Sequence, residues 1–202
     1  ILDDIEADFF SPDQLLMLRR FVTFRGGGLL MMGGQETFDA KRFATSPLGE
    51  LSPVYAPRVD DEASAQPFRL ELTREGLLQP WVRLRETESS ETERLQNMPR
   101  FNTISPVGAP KPGAIQVATL RDLQGNDVPA LVFQRFGKGK SAALTLGDTW
   151  KWSMRRKPGD EDDPARMWRQ IMRWLVSDVP QRAQCKIELS DAVDGQVTIR
   201  TD

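Results

Sequence analysis

An α/β fold on a mixed sheet is predicted by three features of this 202-residue chain. The run Gly28-Leu29-Leu30-Met31-Met32, with Gly26-Gly27 before it and Gly33-Gly34 after it, is too short for a helix and apolar throughout. That is the pattern of a buried central strand. Ahead of it stand an amphipathic segment and, at Ile1-Leu2, the tail of another strand. Strand, helix and strand with short joints form a βαβ unit whose strands run parallel. Between residues 114 and 146 three runs rich in β-formers are separated by turn residues, which predicts an antiparallel meander.

Taken in order, Ile1-Leu2-Asp3-Asp4 suits a strand entering a loop. The chain opens without Met, and the expectation is a piece cut from a longer polypeptide. Ser11-Pro12-Asp13-Gln14 is a helix start: Ser11 caps, Pro12 occupies the first turn and Gln14 completes a capping box. At about 100° per residue, Leu15, Met17, Leu18, Phe21, Val22 and Phe24 share one half of that helix, with Leu16 the exception. Gly26 ends it as a left-handed cap. Ser46-Pro47-Leu48-Gly49-Glu50-Leu51 permits a short helix capped by Thr45 or Ser46. Residues 57–110 read as a long excursion lying on the sheet, anchored by Leu77, Leu78, Trp81 and Leu84, with the polar run Glu86–Glu93 as an exposed loop.

The meander comprises Ala114–Leu120, Val128–Phe136 and Ser141–Leu146, joined by Gln124-Gly125-Asn126-Asp127 and Gly137-Lys138-Gly139-Lys140. Its middle strand is apolar on both faces and is expected to be interior. After Gly147 comes a charged loop in which Arg155-Arg156-Lys157 and Asp160-Glu161-Asp162-Asp163 neutralise one another in solvent. Asp163 is expected to cap a last helix, with Pro164 in its first turn. The apolar residues Met167, Trp168, Ile171, Met172, Trp174, Leu175 and Val176 span roughly 200° of that helix, which predicts near-complete burial. Gln184–Leu189 and Gln196–Thr201, around Asp194-Gly195, form a hairpin. The predicted organisation is an α/β domain over residues 1–180 and, from 181 to 202, a terminal hairpin or the start of a following β domain.

Composition narrows the chemistry. Apolar residues make up 39% and charged ones 28%, enough for a real core, and the net charge of −2 offers no field to draw nucleic acid or anionic lipid. There is no histidine, so Ser-His-Asp, Cys-His and His-ligated metal sites are excluded within this chain. Cys185 is the only cysteine; it lacks an imidazole base, and its expected role is packing in the hairpin.

The candidate ligand-binding residues lie at two strand exits. Gly33, Gly34, Gln35 and Glu36, with Thr37 after them, can form a nest of amides for an oxyanion, although the spacing matches neither a phosphate loop nor a dinucleotide fingerprint, and a plain turn is the commoner outcome. Asp148, Thr149, Trp150 and Trp152 set an acid beside two indoles, suited to a sugar or a peptide end; the alternative is that the indoles cover the sheet edge while Asp148 caps a turn. The pairs Asp3-Asp4 and Asp60-Asp61 are weak candidates for Mg²⁺ or acid–base work. No catalytic residue, metal or cofactor is assigned.

The ordered series Phe24-Arg25-Gly26-Gly27-Gly28-Leu29-Leu30-Met31-Met32-Gly33-Gly34, Ser46-Pro47-Leu48, Lys111-Pro112-Gly113-Ala114, Phe133–Lys140, Asp148-Thr149-Trp150-Lys151-Trp152 and Trp168-Arg169-Gln170 resembles the glutamine amidotransferase-like domain over residues 1–180. The resemblance implies a flavodoxin-like three-layer sandwich of the class I amidotransferase type. It implies placement beside von Willebrand factor A segments in a bacterial membrane-anchored protein, hence an extracytoplasmic position. In active members a strand ending like Met31-Met32-Gly33-Gly34 supplies oxyanion amides, while a Cys on a strand-to-helix elbow and a downstream His-Glu pair hydrolyse the amide. Here the glycines stand without a histidine and without a cysteine before residue 185.

The expected function is therefore a non-catalytic domain serving interaction or scaffolding. Its partners would be other domains of the same polypeptide or cell-envelope proteins, with homo-oligomers allowed, no nucleic acid, and membrane contact only through flanking segments. The alternatives are a small-ligand domain taking an amino acid, sugar or peptide at the strand ends and, less favoured, an amidotransferase-type or carboxylate- or metal-dependent hydrolase.

Overall fold

The computed structural model describes residues 1–34, 37–38, 42–58, 66–154, 159, 161–179, 185–189 and 197–201. In chain order they form β1 (Leu2–Asp3), a 3-10 turn (Ala7–Phe9), α1 (Pro12–Arg25), β2 (Gly28–Met32), α2 (Arg42–Thr45), α3 (Pro47–Leu51), β3 (Arg69–Leu72), α4 (Arg74–Leu77), α5 (Glu88–Gln96), β4 (Ile115–Arg121), β5 (Asp127–Phe136), β6 (Gly139–Leu144), α6 (Trp150–Met154), α7 (Asp163–Val176), β7 (Cys185–Leu189) and β8 (Val197–Thr201). The main sheet has the order β1-β2-β6-β5-β4-β3. β1, β2 and β6 are parallel, and β5, β4 and β3 continue antiparallel. This is the expected α/β mixed sheet.

Two cores make it three-layered. Along β2, Leu30 and Met32 face a layer with Phe101, Ile171 and Leu175, whereas Leu29 and Met31 face Leu15, Val22, Phe43 and Leu51. The period-2 alternation of a strand thus sends an unbroken apolar run into both cores, which is why β2 needs no polar side. β2 lies second from the sheet edge, and its four apolar residues are 8% exposed or less.

Several expectations need correction. In α1 the capping box and the left-handed Gly26 cap form as read, but the buried face is narrow. Leu15 and Val22 are buried and Leu18 half-buried, while Met17 is 67% and Phe24 64% exposed, with Phe21 also exposed. Half a helix of apolar residues exceeds what one sheet face can cover. The same limit applies to α7: Ile171 and Leu175 are buried, Met167, Trp168 and Trp174 half-buried, and Met172 and Val176 exposed. Its N-cap is Asp162, whose Oδ1 accepts from the Ala165 amide at 3.2 Å, and Asp163 is turned inward.

Residues 57–110 do more than lie on the sheet, since they add edge strand β3 and two helices. Of the four anchors, Leu84 is buried and Leu78 is 73% exposed. Trp81 stacks on Trp174 with ring centroids 4.1 Å apart. The segment read as an exposed acidic loop is mostly helix α5. Thr87 caps it, and Glu91 is buried because its carboxylate takes the Leu84 and Arg85 amides at 3.2 and 2.9 Å and Arg94 Nη2 at 2.6 Å. Ser46 rather than Thr45 caps α3. β7 and β8 pair antiparallel in a sheet of their own, with the Asp194-Gly195 turn outside the described residues, as are Asp60, Asp61 and Arg155–Lys157.

Candidate functional site

The carboxyl ends of β1, β2 and β6 lie at one end of the sheet, the position where open α/β sheets place ligands. β1 runs into Asp4, whose φ of 48° is positive. β2 runs into Gly33-Gly34, and β6 leads through Thr145-Leu146-Gly147 to Asp148 and α6. These glycines exist for close approach: a Cβ on Gly34 would fall 1.9 Å from Asp4 Cγ, and one on Gly33 would fall 2.6 Å from Ser105 Oγ and 2.7 Å from the Thr145 carbonyl.

A strap formed by residues 102–105 closes this end. The Ser105 amide donates to the Thr145 carbonyl at 2.8 Å, Gly147 donates to Thr103 at 3.0 Å, and the Ser105 hydroxyl donates to the Gly34 carbonyl. The Gly33 amide donates to the Leu144 carbonyl at 2.7 Å. One of the amides considered for an oxyanion nest is thereby committed to the sheet. Gln35 and Glu36 lie outside the described residues.

The second group of candidates separates on the structure. Asp148 is buried; its Oδ2 accepts from the Asn102 amide at 2.9 Å and from Lys151 Nζ at 2.5 Å, while Oδ1 is buried without a hydrogen-bond partner among the described residues. Thr149 is half-buried. Trp150 is 56% exposed, and Met154, one turn on, is 75% exposed, so α6 presents an apolar pair to solvent. Trp152 points the other way and lies beneath Arg94, whose guanidinium carbon is 5.3 Å from the ring centroid.

Trp152 leads to the open part of the site. A cleft of about 410 Å³ lies between α5, the Met98-Pro99 turn, α6 and the start of α7. Two guanidinium groups reach it, and both are engaged. Arg85 makes a forked pair with Asp163, Nη1 to Oδ1 at 2.7 Å and Nη2 to Oδ2 at 3.0 Å, which holds the Arg85 pKa above its ordinary value. Arg94 forks onto Glu91 and also donates to Met98 Sδ at 3.0 Å. Asp163, read in sequence as part of a solvated loop, is thus a buried wall of the cleft. Among the described residues no group of three His, Cys, Asp or Glu could hold a metal ion, and no helix is long and apolar enough to cross a membrane.

Arg85, Glu91 and Arg94 were not singled out in the sequence, and Asp163 was read there only as a helix cap in a charged loop. The available signal was local: Thr87 three residues before Ser90 is a cap, and Glu91–Arg94 is an i,i+3 pair. Arg85–Asp163 joins positions 78 apart and has no local signal.

The model of the family described as "Putative glutamine amidotransferase" matches residues 5–177. No curated protein matches the chain. Among solved structures, "Cytoplasmic Protein STM3548" from Salmonella typhimurium superposes with a TM-score of 0.61 at 22% identity, over 82% of this chain and 61% of that one. "Cytoplasmic Protein STM1381" from Salmonella typhimurium LT2 gives 0.47 at 20% identity, over 85% and 62%. The chain therefore spans about three fifths of the length of each, and the likeness to STM3548 shows the fold. The extracytoplasmic placement implied by the resemblance is corrected here: the structure that shares the fold is titled a cytoplasmic protein.

Proposed function

From the premise that the chain belongs to this glutamine amidotransferase-like family over residues 5–177, we propose that it keeps the family's frame without amide hydrolysis and works by contact with another protein domain. The observation that carries the reading is the absence of histidine from a chain whose only cysteine, Cys185, lies in strand β7, paired with Thr201 in the two-stranded sheet. Amide cleavage by a thiol needs a base to make the thiolate and an acid to protonate the departing amine. Proton transfers of this kind are each worth about 10²–10⁴ in rate. The commitment of the Gly33 amide to Leu144 supports the same reading, because a donor spent in the sheet is not aimed at a developing oxyanion.

The contact half of the proposal draws on apolar surface that the fold leaves uncovered. Met17 and Phe24 on α1 and Trp150 and Met154 on α6 are each more than half exposed. Clustered exposed apolar side chains mark protein contacts more often than isolated ones do. The Trp150–Met154 pair lies at the strand-end rim, where the family's chemistry would otherwise be.

The pH dependence of Cys185 alkylation by iodoacetamide tests the non-catalytic claim. The expected alkylation is slow at pH 6 and indifferent to glutamine. Fast alkylation at pH 6, or protection by glutamine, would overturn the reading.

A further inference from the structure

Behind the 410 Å³ cleft lies a second space, a cavity of about 50 Å³ between the sheet and α7. Its wall is almost wholly apolar, with Leu72, Ala118, Leu144 and Ile171 among its lining. It exceeds the roughly 10–15 Å³ that admits a water, but offers almost nothing for a water to bond, so it is a space for an apolar group. Arg94, Met98 and Trp152 line both the cleft and the cavity. These three residues, each with a long side chain, stand between the two spaces.

Charge decides what occupies the mouth. Among the described residues, Arg85 and Arg94 line the cleft and Arg166 reaches Glu161 from outside it, against four carboxylates, Glu91, Glu93, Asp163 and Glu161. Asp163 and Glu91 are taken by forked pairs. Glu161 approaches Arg85 at 3.3 Å and Arg166 at 3.8 Å but stays 66% exposed, and Glu93 enters none of these pairs. An anionic ligand would have to draw an arginine from its carboxylate and strand buried Glu91 or Asp163, which is costly. A cation meets carboxylates already facing the solvent.

We propose that this cleft binds a primary amine carried on a short apolar stem, with the ammonium at Glu93 and Glu161 and the stem passing Trp152 into the cavity. The polarity of the site distinguishes this from a lysine side chain, whose charge sits at the tip that would enter first. The proposal is independent of the protein contact proposed above, since either surface can serve without the other.

The test is an NMR titration of the whole chain with ethylamine, butylamine and hexylamine at pH 7, with hexanoate and hexanol as comparisons. Affinity is expected to rise about fourfold for each methylene that enters the cavity. Glu93→Gln is expected to weaken hexylamine about three- to fivefold, and added salt to do the same, as for an exposed ion pair. Ala118→Val, which narrows the cavity, should weaken hexylamine more than ethylamine. Should that variant fail to fold, contacts between the hexylamine methyl and the Leu72 and Ile171 methyls of the unaltered chain carry the same information. Hexanoate binding as tightly as hexylamine, no dependence on chain length, an unaffected Glu93→Gln, a hexylamine methyl without contact to those side chains, or no saturable shift with any amine would overturn the proposal.

Discussion

At the scale of single residues, buried charge is the least forgiving feature of this molecule. Glu91 is fully buried, and its two oxygens serve Arg94 and two backbone amides. Glu91→Ala is therefore expected to cost about 3–5 kcal/mol in urea unfolding, because it strands a nearly buried guanidinium. The double change Glu91→Leu with Arg94→Met should recover only part of this. It removes the orphaned charge but leaves the Leu84 and Arg85 amides without an acceptor. Full recovery would mean that those amide contacts contribute nothing.

Asp178 gives a prediction in pH. The Lys140 ammonium, 3.1 Å from Oδ2, with the Arg135 guanidinium at 3.0 Å, holds its carboxyl below the ordinary range. A carboxyl whose folded pKa lies below its unfolded value adds stability that is complete above the unfolded value, near pH ~4, and is lost as pH falls through the folded one. Asp178→Asn should thus flatten the fall of unfolding free energy below about pH 4 and leave the slope between pH 6 and 8 unchanged. An unchanged acid limb would show that the Lys140 pair is not maintained in solution.

At the scale of elements, packing distance rather than propensity sets what is tolerated. A Cβ on Gly28 would fall 2.3 Å from the Leu175 carbonyl, so β2 and α7 touch backbone to side-chain position. Gly28→Ala should cost about 1–3 kcal/mol by pushing α7 off the sheet, read as a lowered urea midpoint. The exposed apolar residues of α1 predict the opposite: Met17→Gln with Phe24→Gln should move stability by no more than about 0.5 kcal/mol per site. A large loss would place those side chains in a core. These contrasts also explain what the sequence made legible. β2, the α1 capping box, the short helix α3 and the meander strands were readable because each is written in neighbouring residues. The width of the buried face on α1 was not, since period 3.6 reports which residues are apolar and not how much sheet is there to receive them. α5 was hidden for a related reason: a polar run reads as loop unless the fold supplies buried partners for it, as Leu84 and Arg85 do for Glu91.

At the scale of the whole molecule, the family's frame was legible from an ordered series of short motifs, and the sheet order β1-β2-β6-β5-β4-β3 bears out the α/β reading. The site was less legible. Trp152 was picked out from its position after β6, yet its partner Arg94 comes from the excursion, and no pattern along the chain links the two. The glycine exit, prominent in sequence, is in the fold covered by the strap of residues 102–105, while the open cleft lies beside α6 and α5. A frame whose glycine bend is packed, in a chain without imidazole, is the basis for reading the domain as a binding body rather than a hydrolase. The most direct test is glutamate release from glutamine, followed with the purified chain at high concentration beside Cys185→Ala. The account predicts equal rates for both proteins, at the level of buffer alone. Release above that level by the unaltered chain, abolished in Cys185→Ala, would contradict it.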